Sequence, residues 1–379
     1  MTTAFTSIPI VDLSLANSAS TKPQLLSQLR HALIDIGFLY VSNHGVPDLV
    51  VDSLVSSLPA LFGLPQDQKD AISLWNSPQF LGYGLMGEER TAKVPDRREQ
   101  FEFATELEDR YVEGKGQPLY ERIYGPNQWP SSLPSLRPII ETYIEEVTNL
   151  SVRFLSLVAE ALDLPPAVFH PFLSPQHRIK LLHYEARTPS ASLPSPPSTP
   201  TLDASFQGVG AHKDSSGWWT FLLQASPPDI KGLQALNKAG EWIDVPVIPG
   251  TFVVNIGQAF EVVANGVCKA TTHRVLSGPQ ERYSVPLFQG VRGDLTKKDM
   301  EGLWSHFGRG MVASTEDSSQ SPFVASKESE EGSRIDSAFM KGKYDTWGES
   351  QLRTMIRSHP AVGRKFYGEV CEKYLNDDR

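Results

Sequence analysis

Between Gly210 and Gly290 the sequence sets two spaced polar motifs into a run of short strand patterns, and this combination limits what the chain can fold into. His212 and Asp214 are separated by one residue. In an extended strand alternate side chains share a face, so this imidazole and carboxylate point one way and Lys213 points the other. His273 follows far enough downstream for the chain to cross a sheet and return beside the pair. Arg282 and Ser284 repeat the same spacing on a later strand. The strand patterns from 180 to 290 are punctuated by Lys231-Gly232 and Lys238-Ala239-Gly240, and no helical pattern among them is long enough for a βαβ crossover. They predict a β-sandwich or jelly-roll barrel.

The residue types suit one chemistry. Two histidines and one carboxylate on one side of a metal, with the remaining positions open, form the facial arrangement used by non-haem Fe(II) oxygenases. A guanidinium with a hydroxyl beside it receives a carboxylate well, because arginine binds it through two N–H groups and serine adds a third donor. Taken singly, each group has an ordinary reading: a hydrogen-bonded histidine, a turn aspartate before Ser215-Ser216-Gly217, an arginine paired with a surface carboxylate. Their joint occurrence in this order favours a metal centre with an acidic ligand beside it.

The ordered set resembles the 2-oxoglutarate and Fe(II)-dependent dioxygenases of the isopenicillin N synthase-like group. Gly232-Leu233-Gln234, Trp242, Val254-Asn255-Ile256-Gly257, Asn265-Gly266 and His273-Arg274-Val275 are similar to family positions in the same order. The resemblance implies a mainly β fold with flanking helices (α+β), a double-stranded β-helix (jelly-roll) barrel backed by a long helix. It implies Fe(II) held by His212, Asp214 and His273, and 2-oxoglutarate held by Arg282, Ser284 and Tyr184. It further implies O2-dependent oxidation of a small molecule in specialised metabolism, by hydroxylation, desaturation or cyclisation, with release of succinate and CO2. Two positions depart from the family: Leu182 stands where many relatives carry an asparagine, and Gln258 where they carry an aspartate. The first leaves open an Fe(II) oxidase of the same fold that uses no 2-oxoglutarate. Tyr83, Trp218 and Phe288 flank familial pocket segments and are candidates for the pocket wall.

Elsewhere the pattern gives an N-terminal helical and strand region over 1–130, a backing helix within 131–177, the core over 178–292 and an extension over 293–379. Ile8–Leu13 and Phe38–Val41 read as strands. Leu25, Leu29, Leu33 and Ile36 recur at helical spacing, with Pro23 in the first turn and Gly37 as stop. Asp48–Phe62 is a second amphipathic helix, and Ile140 to Leu162 a long one ended by Pro165-Pro166. Arg178–Tyr184 is a strand, with His183 alternating away from Tyr184 as a packing residue. His44 reads as a turn histidine. Asp96–Phe103 resembles a family segment that leads toward the active-site mouth, but its mixed charges read first as a solvated face. The Pro- and Ser-rich stretch 188–200 reads as a mobile loop and 314–337 as disordered. Residues 347–375 return to helical spacing, broken at His359-Pro360, and resemble the tails of fungal members that fold back over the barrel mouth.

Composition closes off other classes. A formal net charge of -9 argues against nucleic acid or an anionic membrane as the partner, leaving a small-molecule substrate. Neither a membrane-spanning run nor a signal-like start is present, and two cysteines, Cys268 and Cys371, suggest no disulfide framework. The expectation is a soluble, cytoplasmic enzyme.

Overall fold

The computed structural model describes residues 4–91, 94–109, 111–186, 207–215, 217–313, 337, 339–340 and 343–377. The stretch 188–200, and 314–337 apart from Ser337, lie outside the described residues.

Strands are numbered in chain order. An eight-stranded sheet holds β1 (Ile10–Asp12), β2 (Phe38–Ser42), β3 (Gly82–Gly84), β6 (Glu99–Ala104), β7 (Arg178–Tyr184), β9 (Gly217–Leu223), β12 (Thr251–Ile256) and β14 (Arg282–Gly290), in the order β1-β2-β12-β9-β14-β7-β6-β3. A four-stranded sheet holds β8 (Gln207–His212), β10 (Leu233–Leu236), β11 (Trp242–Asp244) and β13 (His273–Leu276), ordered β11-β10-β13-β8. β4 (Arg90–Thr91) and β5 (Val94–Pro95) form a small hairpin. Pairing is antiparallel except between β1 and β2, which are joined through a helix, α1 (Lys22–His31), and run parallel. The large sheet takes strands from both sides of residues 130 and 177, so the N-terminal region and the core share one sheet.

The two faces of the large sheet do different work. Helices α2 (Asp48–Phe62), α3 (Gln66–Ala71) and α4 (Leu136–Ala161) follow α1 in the chain. α4 buries Ile140, Tyr143, Ile144, Val147, Leu150, Phe154, Leu155 and Val158, the stripe its periodicity predicts. Phe154 meets Trp219 and Phe221 edge-on at 5.5 and 5.6 Å, pairings worth about 1 kcal/mol each beyond the area buried. Strand alternation then sends Thr220 and Leu222 of β9 to the opposite face. There Tyr40, Leu182, Leu222 and Val253 of the large sheet share an apolar cluster with Val209, Leu233 and Val275 of the small one. The two sheets thus enclose one interior.

α1 stops earlier than its apolar spacing suggests. Ala32–Ile36 is a π-helical turn, closed by Gly37 at φ 76, a left-handed conformation that glycine adopts without strain. After α5 (Gln258–Val263) and α6 (Glu301–Ala313), the C-terminal residues form α7 (Trp347–Ser358), α8 (Pro360–Phe366) and α9 (Gly368–Leu375). A third core cluster joins Leu352, Ile356, Val362 and Tyr367 of this tail to Leu74, Phe80 and Tyr120. Among the described residues no helix is long and apolar enough to cross a membrane.

The Asp96–Phe103 segment corrects an expectation. It is no solvated face: every residue of β6 is buried, between β3 and β7. Its charges are neutralised across strands, with Glu102 directly opposite Lys180 and bonded to Arg178 at 2.8 Å. Glu99 is held by Lys69 at 3.1 Å and His183 at 2.8 Å. Cross-strand partners of this kind cannot be read from the segment itself.

Candidate active site

β8 ends at His212, and β13 begins at His273 directly opposite it in the antiparallel register. This pairing brings two residues distant in sequence to a ring separation of 4.3 Å. Each imidazole is fixed through its Nδ1, which faces the carbonyl of Gly210 at 2.8 Å in His212 and of Thr271 at 3.1 Å in His273. A carbonyl can only accept, so Nδ1 carries a proton in both rings and Nε2 is the atom each ring turns to Asp214. Both Nε2 atoms lie 3.6 Å from Oδ1 of Asp214.

The other oxygen of Asp214 is occupied. Thr220 Oγ1 and, at 2.7 Å, Asn255 Nδ2 donate to Oδ2, which leaves Oδ1 turned to the histidines. The Gln258 N–H donates to the Asp214 carbonyl at 2.8 Å, so the backbone is held as well. Burial opposes ionisation of Asp214, but the two imidazoles outweigh it and its carboxyl lies well below the usual range. One ligand atom from each of the three residues lies within 4.8 Å of the others. Two imidazole nitrogens and one carboxylate oxygen converging in this way fit Fe(II). Lys213 turns to Glu261 of α5, at 3.1 Å.

The second motif lies on β14 of the large sheet. In the β14–β7 register Arg282 is opposite Tyr184 and Ser284 opposite Leu182. Arg282 Nη1 donates to Ser284 Oγ at 3.2 Å and Nη2 to Gln224 Oε1 at 3.4 Å, and the guanidinium carbon stands 5.0 Å from the centre of the Tyr184 ring. The residue is buried, and its Nε has no hydrogen-bond partner among the described residues. A buried cation whose hydrogen-bond partners, Ser284 and Gln224, are neutral fits a carboxylate ligand.

These residues share a cavity of about 60 Å³ that opens toward a larger one of about 290 Å³. The larger cavity is lined by His212 and Asp214 and, from the C-terminal region, by Met355, Ser358 and His359.

Residues 177–291 match the 2OG-Fe(II) oxygenase superfamily, and residues 8–132 match the family described as non-haem dioxygenase in morphine synthesis N-terminal. The chain is 40% identical over 374 residues to the 2-oxoglutarate-dependent dioxygenase frbJ of Dothideomycetidae sp. (strain 11243), covering 97% of this chain and 94% of the relative. The chain belongs to the 2OG-Fe(II) oxygenase superfamily. It is also 30% identical over 313 residues to homoarginine-6-hydroxylase 2-ODD-C23.1 of Arabidopsis thaliana, with 79% of this oxygenase and 90% of the relative covered. Its fold is similar to that of a full-length Neurospora crassa protein crystallised in complex with alpha-KG and 5-formyluracil, with a TM-score of 0.66 at 21% identity over 92% of this chain and 95% of that one. The oxygenase is therefore a non-haem iron, 2-oxoglutarate-dependent dioxygenase, and the oxidase alternative gives way to it.

Of the three aromatic candidates for the pocket wall, Phe288 lines both cavities of the oxygenase. The other two do not. Tyr83 is buried against Phe101 and donates to Glu99 at 2.7 Å, on the far side of β6. Trp218 has the parity of Thr220, but the pairing of β9 with β14 is irregular between Phe288 and Gly290, at the Gly217 end. Its ring sits among Phe169, Phe172 and Phe260. His183 stacks on Tyr283 at 4.8 Å, and His44 packs edge-on against Phe252 at 4.7 Å, so both serve packing.

Sequence reading missed the charged wall. Glu89 bonds Lys180 at 2.9 Å and Arg98 at 2.9 Å, beside the Arg178–Glu102 pair, and all five line the larger cavity. The Asp96–Phe103 segment was the available signal, with the likeness of Ser358-His359-Pro360 to fungal tails.

Proposed function

We propose that His212, Asp214 and His273 bind the iron of this oxygenase, that Arg282, Ser284 and Tyr184 bind 2-oxoglutarate, and that a small polar molecule is oxidised at a C–H bond in the larger cavity. The observation that carries this reading is the convergence of one ligand atom from each residue within 4.8 Å, both Nε2 atoms standing 3.6 Å from Oδ1, with the opposite side of each group already bonded. When bound, Fe(II) with 2-oxoglutarate and O2 supplies the oxidant for C–H cleavage, giving succinate and CO2 as co-products.

The protein's own contribution is orientation and exclusion of water. Arg282, Ser284 and Tyr184 fix one end of the diacid, and Asp214 with the histidines fixes the other through the metal. Phe288 and Met355 supply apolar surface beside the site, and the paired charges of Glu89, Lys180, Arg98 and Arg178 supply polar recognition. A cavity of this size suits a molecule such as an amino acid or a nucleobase, and the names of the Arabidopsis relative and the Neurospora complex concern small polar molecules of those kinds. The two sheets around one interior are, on this reading, the double-stranded β-helix of the family. The reaction takes place on a small molecule rather than on nucleic acid or at a membrane.

Anaerobic titration of the apoprotein with Fe(II) and then 2-oxoglutarate tests the assignment. A visible metal-to-ligand charge-transfer band should appear only with both additions and be lost in His212→Ala. Bound iron without such a band would sink it.

A further inference from the structure

The smaller cavity contains a second guanidinium. Arg98 lines it together with the three candidate iron ligands, Tyr184, Arg282 and Ser284, and lines the larger cavity as well. The neighbouring Arg97 N–H donates to Gly208 O at 3.0 Å, which ties this segment to β8, the strand that carries His212. Tyr184 shares this wall with both arginines, and the Arg282 guanidinium carbon stands 5.0 Å from the centre of its ring.

The Arg98 side chain is 10% exposed. Its Nη2 is held by Glu89 at 2.9 Å and by Asp96 at 3.4 Å, while its Nε is buried with no hydrogen-bond partner among the described residues. Glu89 is shared with Lys180, at 2.9 and 3.0 Å, so both carboxylates lie on the Nη2 and Lys180 side of Arg98 and its Nε is the donor left open. The rest of the cavity wall leaves few donors for a ligand's metal-side end. Leu182, Leu222, Val209 and Val275 are apolar, and Thr220 and Asn255 are committed to Asp214. Arg98 and Arg282 each keep a buried Nε with no partner among the described residues, and a diacid spanning the cavity offers a carboxylate to each.

Building on the proposed function, we propose that Arg98 is a second carboxylate receptor, which holds the keto-acid carboxylate of 2-oxoglutarate while Arg282 holds the far one. Arg98 thereby provides the donor that Leu182 lacks. A substrate carboxylate has the same chemistry and could reach Arg98 from the larger cavity, so the test uses keto acids with no substrate present.

The experiment is an anaerobic titration of the Fe(II)-loaded full-length protein with 2-oxoglutarate and with 2-oxobutyrate, which lacks the far carboxylate. Binding is followed by the charge-transfer band, and iron affinity is measured separately. Losing one charge-assisted hydrogen bond should weaken both keto acids in Arg98→Met by the same factor, roughly ten- to a hundredfold, with the band shifted and iron affinity unchanged. Arg282→Met should weaken 2-oxoglutarate alone. Arg98→Lys preserves a cation for Glu89 but has no Nε donor, so it remains informative if Arg98→Met does not fold, and it should show the same pattern with a smaller loss. The proposal is overturned if the folded variants bind both keto acids within about twofold of the wild type, or if iron affinity falls in parallel. Wild-type protein that binds iron and gives no band with 2-oxoglutarate would instead overturn the proposed function itself.

Discussion

As a candidate iron ligand Asp214 has to present one oxygen to the metal, and Thr220 and Asn255 fix which one by occupying the other. Groups that orient a metal ligand typically contribute ten- to a hundredfold in affinity. Asn255→Leu should therefore weaken iron binding by about that factor while the protein still folds. Equilibrium iron titration decides it, and an affinity within about twofold of the wild type would show that Asp214 needs no such help. The candidate ligands were legible because their chemistry is carried by residue type and their common face by i, i+2 spacing. Thr220 and Asn255 lie on β9 and β12, and only sheet pairing brings them to Asp214, so no local pattern marks their role. The same limit explains Trp218: strand parity placed it toward the pocket, and an irregularity in the pairing of β9 with β14 accompanies its turn into the core.

Among the elements, those defined by one strong periodicity were legible to their ends: α2 spans Asp48–Phe62 and β7 spans Arg178–Tyr184, as their patterns predict. β6 was not, because its burial depends on partners contributed by α3, β3 and β7. Glu99 on this strand has its carboxyl at about 2 against an ordinary 4.5; burial opposes ionisation, and the hydrogen bonds from His183, Tyr83 and Lys69 outweigh that cost. A depressed carboxyl stabilises the fold fully above the ordinary value and loses that contribution as pH falls toward the folded one. The wild type should thus lose stability between pH 4.5 and about 2 through Glu99, by roughly 3 kcal/mol at most. Glu99→Gln should be less stable than the wild type at neutral pH, with a shallower decline in acid. Chemical denaturation as a function of pH checks this, and parallel curves for the two proteins would count against the cluster.

At the scale of the whole molecule, the tail is fastened to the N-terminal region through a shared apolar cluster, and it also lines the larger cavity. Ile356 is fully buried in that cluster. Ile356→Ala should cost about 2–4 kcal/mol and lower the melting temperature, with iron and 2-oxoglutarate binding retained because the metal site lies elsewhere. A single, earlier thermal transition is expected. Two separate transitions would mean that the tail unfolds on its own. The helical spacing of 347–375 and its break at His359 were legible in the sequence, and the resemblance indicated where the tail goes; its partners Leu74, Phe80 and Tyr120 were not, being contacts between opposite ends of the chain.

The position of that wall in the chain has a bearing on biosynthesis. A ribosome makes the three candidate ligands well before it reaches Met355, Ser358 and His359. The wall of the larger cavity is therefore the last part of the candidate site to be completed, and a polypeptide released early would contain every candidate iron ligand without that stretch of wall.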